Sequence, residues 1–180
     1  MRKTMKRVAA IALSATLALT VTAPVASAED NWGKVKKSYT RYIKQNVEAS
    51  EVPTMKKYVD IDQDGVKECI YIECYNRCGV TILTYKDGKV VQANEDIGGV
   101  TAVNYSKKNK QLVVQTADSA FESGLQIYEL TGTECELVKN FSIVWEDGEN
   151  REITDVLTGE KVDEKTYNKY EKLTKSKKVL

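Results

Sequence analysis

The stretch Glu68-Cys-Ile-Tyr-Ile-Glu-Cys-Tyr-Asn-Arg-Cys-Gly-Val-Thr-Ile-Leu-Thr-Tyr-Lys-Asp-Gly-Lys-Val-Val91 decides the fold. Within it Ile70, Ile72 and Cys74 alternate with Cys69, Tyr71 and Glu73, the period of two that marks a β-strand. Asn76 to Gly79 reads as a turn, and Val80 to Tyr85 as the returning strand. Asp87-Gly88 is a tight-turn signal, because glycine supplies the positive φ such hairpins need, and Lys89 to Ala93 continues as a third strand. An antiparallel meander follows from these residues alone.

Outward toward the C-terminus the pattern recurs. Leu112-Val113-Val114, Leu125 to Leu130 and Cys135 to Val138 read as strands, with turns at Gly124 and Thr131-Gly132. Tyr58 and Tyr105 open two units 47 residues apart, and Tyr85 and Tyr128 lie 43 apart. Two copies of one meander unit fit this spacing. A further hairpin joins Phe141–Trp145 to Arg151–Val156 through Asp147-Gly148.

Helices flank the strands. Trp32, Val35, Tyr39, Tyr42, Ile43 and Val47 form one apolar stripe over 31–47 that Pro53 ends; the tyrosines are read as packing. A second helix is expected at 164–174, with Asp163 as N-cap and Val162 and Tyr167 as a hydrophobic staple. Lys175 to Leu180 reads as a frayed basic tail. The expected fold class is therefore α+β: an antiparallel β-meander of two blade-like repeat units plus a hairpin, flanked by N-terminal and C-terminal helices. The expected boundaries are 1–28 for a signal peptide, 29–55 for helix and linker, 56–157 for the β-repeat domain, 158–174 for the C-terminal helix and 175–180 for the tail.

The beginning of the chain carries Arg2, Lys3, Lys6 and Arg7, an apolar run from Val8 to Ala23, and then Ala26-Ser27-Ala28. Positive end, short apolar core and an A-x-A site make a secretory signal cleaved after Ala28. The run of 16 residues is shorter than the roughly 20 that span a bilayer, so no membrane span is expected after cleavage. Cleavage removes four of the 27 cations and none of the 26 acids, leaving 23 against 26, a net charge of −3 over 152 residues. A slightly acidic chain lacks the positive excess that phosphate contacts require, which disfavours nucleic acid. The mature chain is expected to be a secreted or cell-surface monomer. Its partner would be an extracellular protein or glycan.

Four cysteines, Cys69, Cys74, Cys78 and Cys135, permit three pairings in an exported protein. Cys74 and Cys78 flank the turn and could close a small loop, leaving Cys69 and Cys135; buried free thiols are the competing reading. A thiolate metal cluster is disfavoured by the spacing and by the lack of any histidine.

One motif carries chemistry. Asp60-Ile-Asp62-Gln-Asp64-Gly65-Val66-Lys67-Glu68 places acids at loop positions 1, 3, 5 and 9 and glycine at 6. Calcium takes six to eight hard oxygens at about 2.3–2.6 Å, and alternate acids in a tightly wound loop aim their carboxylates at one centre. Gly65 permits the sharp turn that offers the Val66 carbonyl; Glu68 binds directly or through water. The expected ligands of Ca2+ are thus Asp60, Asp62, Asp64, Glu68 and Val66 by its backbone. A helix–loop–helix hand would need Glu at position 12, where Tyr71 stands within a strand. The bland alternative is a solvated acidic turn, but crowded carboxylates without a counter-ion repel one another. Affinity of about 10⁻⁴–10⁻³ M, typical of extracellular modules, suits a structural ion that pins the strand beginning at Glu68.

The run Tyr58-Val-Asp60-Ile-Asp62-Gln-Asp64-Gly65-Val-Lys-Glu68-Cys-Ile, followed by Thr84-Tyr85-Lys-Asp87-Gly88-Lys-Val-Val, resembles small secreted proteins of Gram-positive bacteria. These carry the D-x-D-x-D-G-x-x-E loop of the integrin-like FG-GAP or VCBS repeat class. Val162-Asp-Glu-Lys-Thr-Tyr167-Asn-Lys-Tyr170 is similar to their terminal helix. The resemblance spans about residues 35–174 and implies calcium-stabilised, blade-like β-repeats. Two departures stand out: Cys69 replaces an aliphatic residue, and Ser106-Lys-Lys-Asn109-Lys110 stands where a second acidic loop would be. The 152 residues cannot supply a full propeller at about 40–50 residues per blade.

Catalysis is disfavoured. Without histidine there is no Ser-His or Cys-His pair, and no phosphate-loop or nucleophile-elbow motif occurs. The leading expectation is a calcium-binding interaction module, with Phe121 and Glu122 of the Ala117–Gly124 connection as candidate contacts. The alternatives are a hydrolase of extracellular carbohydrate using two carboxylates among loop acids such as Asp118, Glu122, Glu146 and Asp147, and a passive structural or inhibitor-like protein.

Overall fold

A computed structural model of the chain describes residues 28–46, 55–74, 78–94, 97–146 and 150–179. Helix α1 (Ala28–Asn46) is followed by strands β1 (Met55–Val59), β2 (Glu68–Cys74), β3 (Cys78–Lys86) and β4 (Lys89–Gln92). Next come β5 (Val100–Ser106), β6 (Gln111–Ala117), β7 (Glu122–Thr131), β8 (Glu134–Trp145), β9 (Arg151–Asp155) and β10 (Glu160–Lys161). Helix α2 (Glu164–Glu171), a 3₁₀ turn over Lys172–Lys175 and β11 (Lys177–Lys178) close the chain. The fold is α+β and mostly antiparallel sheet. The expected signal peptide as far as Ser27, Val47 of the expected first helix, the stop at Pro53 and the Asp147-Gly148 turn lie outside the described residues, as do parts of the turn at 76–79.

The strands form two sheets in sequence order, β1-β2-β3-β4 and β10-β9-β8-β7-β6-β5-β11. Four layers result: α1, the four-stranded sheet, the seven-stranded sheet, α2. Ile70, Ile72, Val80 and Ile82 of the first sheet meet Val103, Tyr105, Leu112, Val114, Tyr128 and Leu130 of the second. The opposite face of the first sheet, through Cys69, Tyr71 and Leu83, packs on Val35 and Tyr39 of α1. The opposite face of the second, through Val113, Leu125, Phe141, Ile143 and Ile153, packs on Tyr167 of α2. Because β2 is covered on both faces, Glu68 to Ile72 are all buried and the strand reads as an apolar run.

The two units repeat in space. Tyr58 and Tyr85 belong to the cluster beneath α1, and Tyr105 and Tyr128 to the cluster between the sheets. Each tyrosine pair therefore faces the layer that precedes its own sheet, as in blades stacked front to back. The Asp87-Gly88 turn carries φ of +50° and +82°, the double left-handed geometry of a two-residue hairpin.

Four expectations are corrected. Gly124 is not in a turn but inside β7, paired with Thr116 of β6 and Ser142 of β8. Cys135–Val138 and Phe141–Trp145 are not separate strands but one, β8. Its register against β7 slips between Ile127↔Lys139 and Tyr128↔Leu137, a bulge that leaves Val138 extra. The slip flips the faces, so Cys135 and Leu137 pack against the inter-sheet cluster while Phe141 and Ile143 pack under α2. The broken period imitates a chain break. The second helix is α-helical only to Glu171 and tightens to 3₁₀ beyond it. The tail is not frayed: Lys177 and Lys178 pair with Tyr105 and Asn104 of β5, and Val179 is 7 % exposed, with its N–H bonded to the Val103 carbonyl at 2.8 Å. A single apolar side chain with a core socket outweighs the fraying of a lysine-rich end.

Asp163 caps α2 as expected, accepting the Thr166 N–H at 2.9 Å, and Val162 and Tyr167 share one apolar cluster. Cys74 and Cys78 form a disulfide across the β2–β3 turn. Cys69 and Cys135 are free thiols, Cys69 beneath α1 and Cys135 against the inter-sheet cluster.

Candidate metal centre

The acidic loop joins β1 to β2, so one end hangs from a strand edge and the other enters a strand buried on both faces. Gln63 (φ +62°) and Gly65 (φ +93°) supply the left-handed residues that wind it. The structure brings carboxylate oxygens of Asp60, Asp62 and Glu68 within 4.8 Å of one another. Asp64 stands outside that trio, with Oδ1 accepting the Val66 N–H at 2.7 Å, while its own N–H donates to Asp62 Oδ1 at 3.2 Å. Val66 packs partly under α1.

Glu68 is 2 % exposed, and its Oε2 accepts the Ile61 N–H at 2.7 Å. Burial pushes its carboxyl up to about 8; the Ile61 N–H opposes the shift, and the Asp62 and Asp64 charges add to it. Burial also raises Asp64, helped by Asp62 and Asp60. Asp60 Oδ1 is buried without a hydrogen-bond partner. Among the described residues no lysine or arginine forms an ion pair with these carboxylates. Lys110 Nζ donates instead to the Asp62 carbonyl at 2.9 Å. The donor set is all hard oxygen, which suits calcium and not a soft metal.

Sequence reading missed the residues of the second sheet that hold this loop. The Tyr105 hydroxyl donates to the carbonyls of Asp60 (3.0 Å) and Ile61 (3.3 Å). Gln63 Nε2 donates to the Lys107 carbonyl at 2.7 Å, and the Gly132 N–H donates to Asp62 Oδ2 at 3.2 Å. The basic stretch 106–110, noted only as a departure from a second acidic loop, is the signal that was available. It touches the first loop through the Lys107 carbonyl and Lys110 Nζ, not through ion pairs with the acids.

The other candidates scatter. Phe121 is 66 % exposed between β6 and β7, near Asp118 and Glu122, while Glu146 follows β8 and Asp147 lies outside the described residues. No protein-family model, curated protein or solved structure matches the chain.

Proposed function

We propose that the chain is an exported, calcium-binding β-repeat module whose ion serves architecture and not catalysis. The observation that carries this reading is the convergence of Asp60, Asp62 and Glu68 with no ion-pairing lysine or arginine among the described residues, while Asp60 Oδ1 is buried and unpaired. Burying uncompensated carboxylates is costly, and a divalent ion removes both the desolvation penalty and the repulsion. Asp60, Asp62 and Glu68 would hold the ion, Asp64 joining by its second oxygen and Val66 by its carbonyl. The ion supplies positive charge where the β1–β2 loop of the first sheet meets Tyr105, Lys107 and Gly132 of the second, which favours a role in the extracellular medium, where calcium is millimolar. The leader-like residues 1–28 support export.

The test is a thermal melt of the full chain with Ca2+, Mg2+ or chelator. At calcium a hundredfold above Kd the native state gains about 2.7 kcal/mol, a rise of roughly 5–10 °C for a chain of this size. Identical melts in all three conditions would reduce the loop to a bare acidic turn.

A further inference from the structure

A cleft of about 440 Å3 opens on the outer face of the seven-stranded sheet where α2 and its 3₁₀ extension stop covering it. Its floor carries Thr101, Gln115 and Ser123, polar residues on the face that elsewhere packs Phe141 and Ile143 against α2. Among the described residues the side chains of Gln115 and Ser123 take no intramolecular hydrogen-bond partner. One wall is Trp145, half-buried, with the Arg151 guanidinium 5.5 Å from its ring centroid and 4.9 Å from that of Tyr167. Arg151 is fixed by both oxygens of Glu164, at 2.7 Å each, and by Glu171 at 3.2 Å. The exposed Phe121 adjoins this wall, its carbonyl accepting the Trp145 N–H at 2.9 Å.

The geometry points to a binding site for a neutral oligosaccharide. Free amide and hydroxyl groups on a rigid sheet match sugar hydroxyls, and the partly exposed Trp145, with the exposed Phe121 adjoining it, offers apolar aromatic surface to the C–H face of a pyranose. Charge argues against an ionic ligand: Arg151 is already paired with Glu164 and Glu171, which leaves Lys175 as the remaining charged side chain lining the cleft among the described residues. A peptide adding as a strand is disfavoured, because β6, β7 and β8 are internal strands with both edges paired. Cleavage is disfavoured too, since among the described residues Glu171 is the one carboxylate lining the cleft and glycoside hydrolysis uses two. This assignment deepens the reading of an extracellular interaction module by naming its partner, and it stands apart from the calcium loop.

Calorimetric titration of the full chain in calcium with hexamers of β-1,4-glucose, β-1,4-N-acetylglucosamine and α-1,4-glucose tests it. A sulfated oligosaccharide and an uncharged peptide serve as competing occupants. Saturable binding of at least one neutral hexamer is expected, weakened roughly tenfold by Trp145→Ala and about threefold by Gln115→Ala. Because truncating Trp145 also removes packing, the half-exposed Gln115 is the cleaner variant. The melts in Ca2+, Mg2+ or chelator read the acidic loop independently of these titrations, so failure of the calcium reading would be seen separately. Binding by none of the hexamers, preference for the sulfated sugar or the peptide, or indifference to both cleft variants would overturn the assignment.

Discussion

The Asp62 carboxylate accepts the N–H of Gly132 at 3.2 Å, a hydrogen bond between residues seventy apart that joins the acidic loop of one sheet to the β7–β8 turn of the other. A candidate metal ligand is thus also a clasp between the sheets, and the two roles can be separated by mutation. Asp62→Asn keeps a carbonyl oxygen for Gly132 and removes the charge. We expect its melt without calcium to differ from the parent by less than about 1 kcal/mol, while the rise with calcium disappears. Asp62→Ala should lose both. Equal calcium responses in the parent and Asp62→Asn would detach the loop from metal.

Tyr105 makes the same connection from the other side, its hydroxyl donating to the carbonyls of Asp60 and Ile61. Tyr105→Phe keeps the ring in the inter-sheet core and leaves those carbonyls without that donor. Urea unfolding should show a loss of about 1–2 kcal/mol, with the slope unchanged.

The pH dependence follows from Glu68. Its folded carboxyl is raised to about 8 from 4.5, chiefly by burial, so between those values the native state holds the proton more tightly than the unfolded chain. The stabilising effect of that proton is complete below about pH 4.5 and is lost as pH rises through 8. In chelator, stability should therefore fall from pH 5 to pH 8, and Glu68→Gln should flatten the fall. Calcium needs the carboxylate ionised, so its stabilising effect should grow over the same interval. Melts at the two pH values, with and without calcium, read both slopes.

Burial pushes the thiols of Cys69 and Cys135 up to about 12, which leaves little thiolate at neutral pH. Iodoacetamide should modify neither in the native protein, and both after unfolding in guanidinium without reductant. Reduction should then expose Cys74 and Cys78 as well. Mass spectrometry counts the adducts, and rapid native labelling would contradict the packing of both residues.

Deleting Lys177–Leu180 removes a paired edge strand and the buried Val179. A cost of about 2 kcal/mol is expected, visible as a lower urea midpoint. A frayed tail would cost nothing.

Much of the meander was legible because its signals are short-range. Alternation over Cys69–Cys74, the Asp87-Gly88 pair and the Asp163 cap act over two to four residues, and the structure repeats them. The tail was not legible, because six residues rich in lysine say nothing about a socket formed by Val103 and its neighbours. Nor was the unity of β8, since a one-residue bulge reverses which side chains face the core.

The sequence by itself determined the β2–β3–β4 meander, the Asp87-Gly88 turn, the Asp163 cap and a loop in which acids alternate about a glycine, for each of these depends on neighbours along the chain. Tertiary structure alone decided that the sheets stack front to back, that Tyr105, Lys110 and Gly132 grip the acidic loop, and that α2 ends short of Gln115 and Ser123. Those relations join residues tens of positions apart. They arise only once two sheets bury their apolar faces against each other and bring remote turns within hydrogen-bond reach.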